Sequence, residues 1–254
     1  MSNTSVTPLK RDTLSSQVSR YLLERISAEG LKPGDPVLSE VQLGRELNVS
    51  RGVVREAYRS LAALGILAIE SGKTPRVQAL KSSVLAQIVG SALRIAQVSA
   101  PQVLQLRRAL EIETARLAAE QGTAEHFKRL RQCVADMQRA GADHGRLVAA
   151  DVELHTTLAE ATGNPLFVLM LAGLRGPLED SMALGLKSRR TRAEVLQVPE
   201  VHKVIVQRVC AQDGDGAAKA MAHHFDLSVA AILDAGVATL SREHGSHKKA
   251  LPQG

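Results

Sequence analysis

Four side chains of the types that bind divalent metals lie on apolar, helix-forming stretches in the second half of the chain. Asp151 and His155 are four residues apart, so they project from one helix face, which is otherwise lined with leucines. His202 and His224 lie in two later stretches of the same aliphatic character. Such a set could converge on one divalent ion inside a helical bundle. From the residues alone, buried histidines with ordinary hydrogen-bond partners remain the alternative.

A pair of short helices is predicted nearer the N-terminus. They run over Ser39–Leu47 and Ser50–Leu64 and are joined by a tight turn, and Ser39 and Gln42 have the spacing of a capping box. In a helix-turn-helix, the second helix lies in the major groove of DNA and presents its first residues to the base edges. This order of elements therefore favours a DNA-reading unit.

The first turn of that second helix carries the side chains that such a role requires. Arg51 and Arg55 are four residues apart and share a face, where guanidinium groups can fork onto guanine or clamp phosphates. Ser50 and the unpaired N–H groups of the helix start can hold a phosphate. The alternative is an exposed face that is charged only for solubility.

A two-stranded wing is predicted after these helices. Ile66–Ile69 and Arg76–Gln78 have strand character, and the turn between them contains Gly72 and Lys73. Lys73 and Arg76 would reach the DNA backbone or the minor groove. With a first helix predicted from about Asp12 to Glu29, the unit is a winged helix-turn-helix.

The rest of the chain shows no strand pattern and predicts a mainly α fold, in which an antiparallel bundle of about seven helices follows the winged helix-turn-helix. Residues 189–198 are predicted to be a connection, and Pro199 to lie near a helix start, where a missing N–H costs little. The predicted helices cover residues 81–97, 101–121, 123–141, 144–162, 164–188, 199–213 and 214–237.

Composition narrows the class of protein. The chain has 254 residues, a formal net charge of +6 and no Trp, so a polyanionic partner is allowed and aliphatic side chains must fill the core. Two isolated cysteines do not make a disulfide framework, and neither a secretory signal nor a membrane span is evident, which predicts a cytoplasmic protein.

The predicted domains are a tail over 1–10, the DNA-binding domain over 11–79, the helical domain over 80–238 and a basic tail over 239–254.

Residues 31–79 resemble the winged helix-turn-helix of the GntR family. The resemblance rests on Leu31-Lys32-Pro33-Gly34-Asp35, Leu38-Ser39-Glu40, Val49-Ser50-Arg51, Val54-Arg55-Glu56-Ala57 and the wing Ser71-Gly72-Lys73. It implies that Arg51, Arg55 and Gly72 contact DNA. Val41 stands where many members have Arg, and Gly52-Val53 replaces a common Thr-Pro, which leaves the operator preference open. The DNA contacts assigned are Ser39, Ser50, Arg51, Arg55, Gly72, Lys73 and Arg76.

Residues 101–236 look like the C-terminal domain of the FadR-like branch of the same family. The matching motifs are Leu106-Arg107-Arg108-Ala109-Leu110-Glu111, Asp151-x-x-x-His155-x-x-Leu158, Gly163-Asn164-Pro165, Glu200-Val201-His202 and Met221-x-x-His224. The resemblance implies that Asp151, His155, His202 and His224 bind a divalent metal, with zinc expected first and nickel or manganese as alternatives. His223 projects about 100° away from its neighbour around the helix, so only one of the two can coordinate.

The resemblance also implies a small organic acid as the effector, bound at open positions of the metal. Arg107 is the candidate for its second anchor, because a guanidinium group forks onto a carboxylate, and Asn164 is assigned to the same site. The alternative for Arg107 is a salt bridge with Glu111.

The expected function is a DNA-binding transcriptional regulator, a homodimer that reads a near-palindromic operator and responds to the acid. A metal-dependent hydrolase using the same three-His/Asp site is the alternative, but the sequence has no His-Glu-x-x-His or nucleophile motif. A DNA-packaging protein would not require a polar cluster inside a helical bundle.

Overall fold

A computed structural model describes residues 12–79, 81–141, 143–176 and 192–227, with the backbone alone for 192–196. The chain divides into two compact units, Met1–Val84 and Leu85–Gly254. The mainly α fold and the small two-stranded sheet are as predicted. Among the described residues, no helix combines the length and the apolar character that crossing a bilayer requires. The tails predicted at 1–10 and 239–254 lie outside the described residues.

Three helices form most of the first unit: α1 (Leu14–Ala28), α2 (Glu40–Glu46) and α3 (Arg51–Ala63). Each helix is preceded by a hydroxyl-bearing cap residue whose side chain accepts a backbone N–H of the first turn. The caps are Thr13, Ser39 and Ser50. The capping box predicted from Ser39 and Gln42 is confirmed, because the Gln42 side chain also accepts the Ser39 N–H.

The core of this unit sets which face of α3 is exposed. Val54, Ala57, Tyr58 and Leu61 follow a helical spacing and are buried against α1 and α2. The Tyr58 hydroxyl donates to the Leu38 carbonyl at 2.5 Å, and burial, with the nearby charge of Glu40, raises the pKa of Tyr58 to about 12. Because one stripe of α3 is buried in this way, its opposite stripe of arginines faces solvent.

Two short strands follow α3: β1 (Leu67–Ala68) pairs in antiparallel register with β2 (Arg76–Val77). The loop between them includes Gly72, whose φ of +74° lies in the left-handed region that glycine tolerates best. The segment before α2 docks on β2, because the Gly34 N–H donates to the Val77 carbonyl at 2.9 Å. The wing is thereby tied to the helix-turn-helix.

Seven helices follow the wing within the described residues, and the first of them begins just before the boundary between the two units. They are α4 (Ser82–Arg94), α5 (Ala100–Gln121), α6 (Ala124–Ala140), α7 (His144–Ala161), α8 (Pro165–Arg175), α9 (Arg192–Cys210) and α10 (residues 214–227). Connections of two or three residues join α5, α6 and α7, which makes these helices antiparallel neighbours. Small side chains such as Ala115, Ala118 and Ala119 on α5 allow close packing around a core built of aliphatic residues.

One predicted connection is wrong. Helix α9 begins at Arg192, inside the segment 189–198 that was expected to link two helices, and Pro199 lies within the helix instead of near its start. A proline in a helix interior removes one backbone hydrogen bond and disfavours the preceding turn. Here Pro199 is buried between Val198 and His202, so packing of this stretch into the bundle outweighs the local preference.

Candidate functional site

The bundle brings together the four residues predicted to bind a metal. Asp151 and His155 lie one turn apart on α7, His202 lies on α9 and His224 on α10. One ligand nitrogen from each of the three histidines lies within 4.8 Å of the other two. Asp151 Oδ1 lies 2.9 Å from His202 Nε2 and 3.7 Å from His155 Nε2. Nitrogens of the three imidazoles therefore converge, and the Asp151 carboxylate lies beside two of these rings.

The His202 ring is oriented by the backbone of its own helix. Its Nδ1 lies 2.7 Å from the Val198 carbonyl oxygen, which can only accept, so Nδ1 carries a proton and Nε2 faces the cluster. Nε2 is buried and makes no well-oriented hydrogen bond to any described residue, although Asp151 Oδ1 is close to it. The His202 ring and the Asp151 carboxylate are therefore held side by side within the bundle.

The His155 ring is held by a carboxylate from a neighbouring helix. Its Nδ1 contacts Oε2 of Glu111 on α5, which directs Nε2 towards Asp151 and the other histidines. Glu111 Oε1 accepts from Arg107 Nε at 2.9 Å and from Nη2 at 2.5 Å. Burial disfavours the charge of Glu111, but Arg107 and His155 outweigh it and hold the pKa of Glu111 below its usual range. A carboxylate behind a ligating histidine is a common orienting device at metal sites.

Asp151 is itself held by a second buried guanidinium group. Arg175, the last residue of α8, donates from Nη2 to Asp151 Oδ2 at 2.5 Å, which leaves Oδ1 facing the histidines. Burial would raise the pKa of Asp151, but His155, His202 and Arg175 outweigh it and hold that pKa well below its usual range. Burial, together with His202 and His155, lowers the pKa of His224 well below its usual value. The cluster is therefore built to stay as a carboxylate beside a neutral His224.

The two predicted effector residues have other partners in the structure. Arg107 is buried in the ion pair with Glu111, the alternative that the sequence left open. Asn164 is exposed and caps α8, because its Oδ1 accepts the Leu166 N–H at 3.0 Å. No described contact joins Asn164 to the histidines. A role of Arg107 and Asn164 in binding an effector therefore stays a prediction.

Two residues of the cluster escaped sequence reasoning. Glu111 was considered only as a partner for Arg107, and its contact with His155 depends on the packing of α5 against α7. No signal in the sequence indicated Arg175, because the helix predicted over 164–188 also contains Glu179 and Asp180, and Arg175 is the one charged residue only of the shorter helix α8.

The predicted DNA contacts lie on the exposed surface of the first unit. Arg51 has no partner among the described residues, whereas Arg55 Nε donates to Glu40 Oε2 at 3.2 Å. In the wing, Lys73 donates to Glu70 at 2.6 Å and Arg76 donates to the Gly34 carbonyl at 2.6 Å. The remaining assigned residues are the caps Ser39 and Ser50 and the wing glycine Gly72.

Two family models match this chain, one over its N-terminal unit and one over its helical bundle. Residues 14–77 match the family described as bacterial regulatory proteins, gntR family, and residues 102–227 match the FCD domain. The HTH-type transcriptional regulator LutR of Bacillus subtilis (strain 168) is 31% identical over 198 residues, covering 76% of this chain and 90% of LutR. The HTH-type transcriptional repressor NanR of Cronobacter sakazakii is 29% identical over 228 residues, covering 86% of this chain and 85% of NanR.

A solved structure supports the fold. The Streptococcus agalactiae GntR protein superposes with a TM-score of 0.61 at 23% identity, over 85% of this chain and 98% of that one.

The buried ion pair of α5 generates the first testable prediction. Glu111→Gln keeps the side-chain volume but leaves the Arg107 guanidinium without its carboxylate, so we expect the free energy of unfolding to fall by about 3–5 kcal/mol. The measurement is urea-induced unfolding followed by far-ultraviolet circular dichroism. The control is Glu113→Gln, which removes an exposed partner of Arg116 on the same helix and should change little. Equal stability of the two variants would contradict the electrostatic role of Glu111.

Proposed function

The chain belongs to the GntR family as a transcriptional regulator with an FCD domain, and we propose that a small organic acid bound at a divalent metal in that domain controls its affinity for operator DNA. The observation that carries the proposal is the convergence of nitrogens from three histidines, with Asp151 Oδ1 close to two of them. A regulator of this kind acts on the chromosome, which is in the cytoplasm of a bacterium. The named relatives are regulators, so the hydrolase alternative is set aside.

The donor set supports a divalent ion. Three imidazole nitrogens and one carboxylate oxygen suit zinc, with nickel or manganese as alternatives. His202 and His155 each have their Nδ1 engaged by an oxygen, of Val198 and of Glu111, which leaves the Nε2 atoms for the ion. When bound, the ion supplies a positive centre that attracts a carboxylate.

Charge balance supports an anionic effector. Among the described residues of the cluster, the carboxylates of Asp151 and Glu111 are matched by the guanidinium groups of Arg107 and Arg175. A divalent ion adds two positive charges to this buried site, and a buried excess of charge is costly. A carboxylate ligand would offset it. Arg107 and Asn164 stay the sequence-based candidates for contacts with that ligand.

The exposed face of α3 supports DNA contact through Arg51 and Arg55, with Ser50 and Ser39 at the helix starts. The wing would add Gly72, Lys73 and Arg76 as contacts with the backbone or minor groove. We expect a homodimer to place two such helices in successive major grooves of a near-palindromic operator, because a two-fold protein reads a two-fold site.

Removal of one recognition arginine should weaken operator binding. Arg51→Ala and Arg55→Ala should each lower affinity about 5–150-fold, the equivalent of about 1–3 kcal/mol for a bidentate base contact. The measurement is operator titration at fixed salt, with the exposed Lys128→Ala on α6 as a control that removes the same charge from the other unit. If both arginine variants bind as tightly as wild type, α3 is not the recognition helix.

Metal binding should depend on the buried histidines and not on their exposed neighbour. Dialysed wild-type protein should contain about one divalent ion per chain by elemental mass spectrometry, and His202→Ala should lose it. His223→Ala is the matched control, because His223 is exposed and adjacent to His224. Full metal retention in a His155→Ala/His202→Ala double variant would contradict the site.

Acid binding should change operator affinity. An acid that stabilises the metal-loaded protein in a thermal-shift screen should shift operator affinity about 5–150-fold, because typical coupling free energies are about 1–3 kcal/mol. The same acid should have no effect on His202→Ala, which lacks the metal. An operator titration unaltered by every acid that demonstrably binds wild type would remove the proposed switch.

A further inference from the structure

Arg175 is buried beside the metal-binding cluster in a way that its ion pair with Asp151 does not fully explain. It ends α8, a helix without other charges, and only 10% of its side chain is exposed. Its one described bond runs from Nη2 to Asp151 Oδ2. Removing a guanidinium group from water is costly unless its donors are satisfied.

The donor count leaves most of this guanidinium group available. It has five N–H donors in a planar fork, and within the described residues one is bonded to Asp151. The other buried arginine of the bundle differs, because Arg107 donates from two nitrogens to Glu111. Of the two buried arginines, Arg175 therefore has the donors that a carboxylate could still use.

Asp151 fixes where Arg175 lies relative to the histidines. One oxygen of this carboxylate, Oδ2, accepts from Arg175, and the other, Oδ1, faces His202 and His155. A ligand that binds a metal held by Oδ1 and the histidines would lie next to the same carboxylate as Arg175. A negatively charged group there would meet both the metal and those N–H donors of Arg175 that have no partner among the described residues.

We propose that Arg175 anchors the carboxylate of the effector, and that this carboxylate bridges the Arg175 guanidinium group and the divalent ion. The inference rests on the proposed function and replaces Arg107 as the principal anchor. Two parallel N–H···O bonds from one guanidinium group select a planar carboxylate over a neutral amide. Arg175 thereby sets the acid specificity of the site.

The test compares zinc and acid affinities of the full-length protein. Isothermal titration measures zinc binding first, and then acetate, glycolate and succinate on the zinc-saturated protein, with acetamide as the neutral probe. Arg175→Gln and Arg175→Lys should keep one zinc per chain and lose acid affinity about 10–100-fold, since a hydrogen bond to a charged group contributes about 1.5–3 kcal/mol. Arg139→Gln, which alters an exposed arginine of α6, should match wild type.

The variants separate anchoring from a structural role. If Arg175 only positions Asp151, zinc affinity falls, and the zinc-saturated variants bind acid within twofold of wild type, which overturns the proposal. If Arg175→Gln does not fold, the Arg175→Lys variant provides the test. Its ammonium group can keep one bond to Asp151 but cannot make two parallel bonds to a carboxylate. If neither folds, a crystal structure of the wild type with acid decides, and a carboxylate on Arg107 overturns the proposal.

The same experiment distinguishes a failure of the proposed function from a failure of the role given to Arg175. Zinc-loaded wild type that binds none of the three acids would contradict the acid-responsive function itself. Acid binding that is equal in wild type and in both Arg175 variants would contradict only the role of Arg175.

Discussion

Burial of the Asp151 carboxylate is the constraint on which the helical domain depends. A carboxylate inside an apolar bundle must find positive or hydrogen-bonding partners, because its isolated charge would be unfavourable by several kcal/mol or more. The structure supplies them from separate helices, with Arg175 on one oxygen and the histidines facing the other. Helices α7, α8 and α9 therefore meet at this point for an electrostatic reason as well as an apolar one.

A chain of buried polar contacts also connects His155 to helix α5. Its ring is held by Glu111, and Glu111 in turn by Arg107, so α5 joins the network through a chain of buried polar contacts. The residues of this network lie on five helices, so a change at any one of them is felt by the others. Buried polar contacts have discrete arrangements, which is what a switch between two states requires.

The DNA-reading unit follows a contrasting design. Its arginines are exposed, and two of the candidate contacts are paired within the unit, Arg55 with Glu40 and Lys73 with Glu70. Exposed ion pairs are weak and salt-sensitive, so phosphate or guanine can replace the carboxylate partner. The pairs hold these side chains at the surface without burying them, whereas the pairs of the other unit are buried.

The sequence by itself determined the features that depend on neighbours along the chain. The cap formed by Ser39 and Gln42, the exposed arginine stripe of α3 and the succession of helices after the wing all follow from local spacing, and the structure has them. The four cluster residues were also named from their chemistry and from family resemblance. What the sequence could not determine is which partner each buried polar group would find.

Only the tertiary structure decided those partners. Glu111 contacts His155 on another helix, and Arg175 donates to Asp151 across 24 residues of sequence. Packing also extended α9 through Pro199 against its local preference. The physical reason is common to all three cases. Buried polar groups and buried helix faces gain their stability from groups that are distant in sequence, and no local pattern encodes which of those groups will be adjacent.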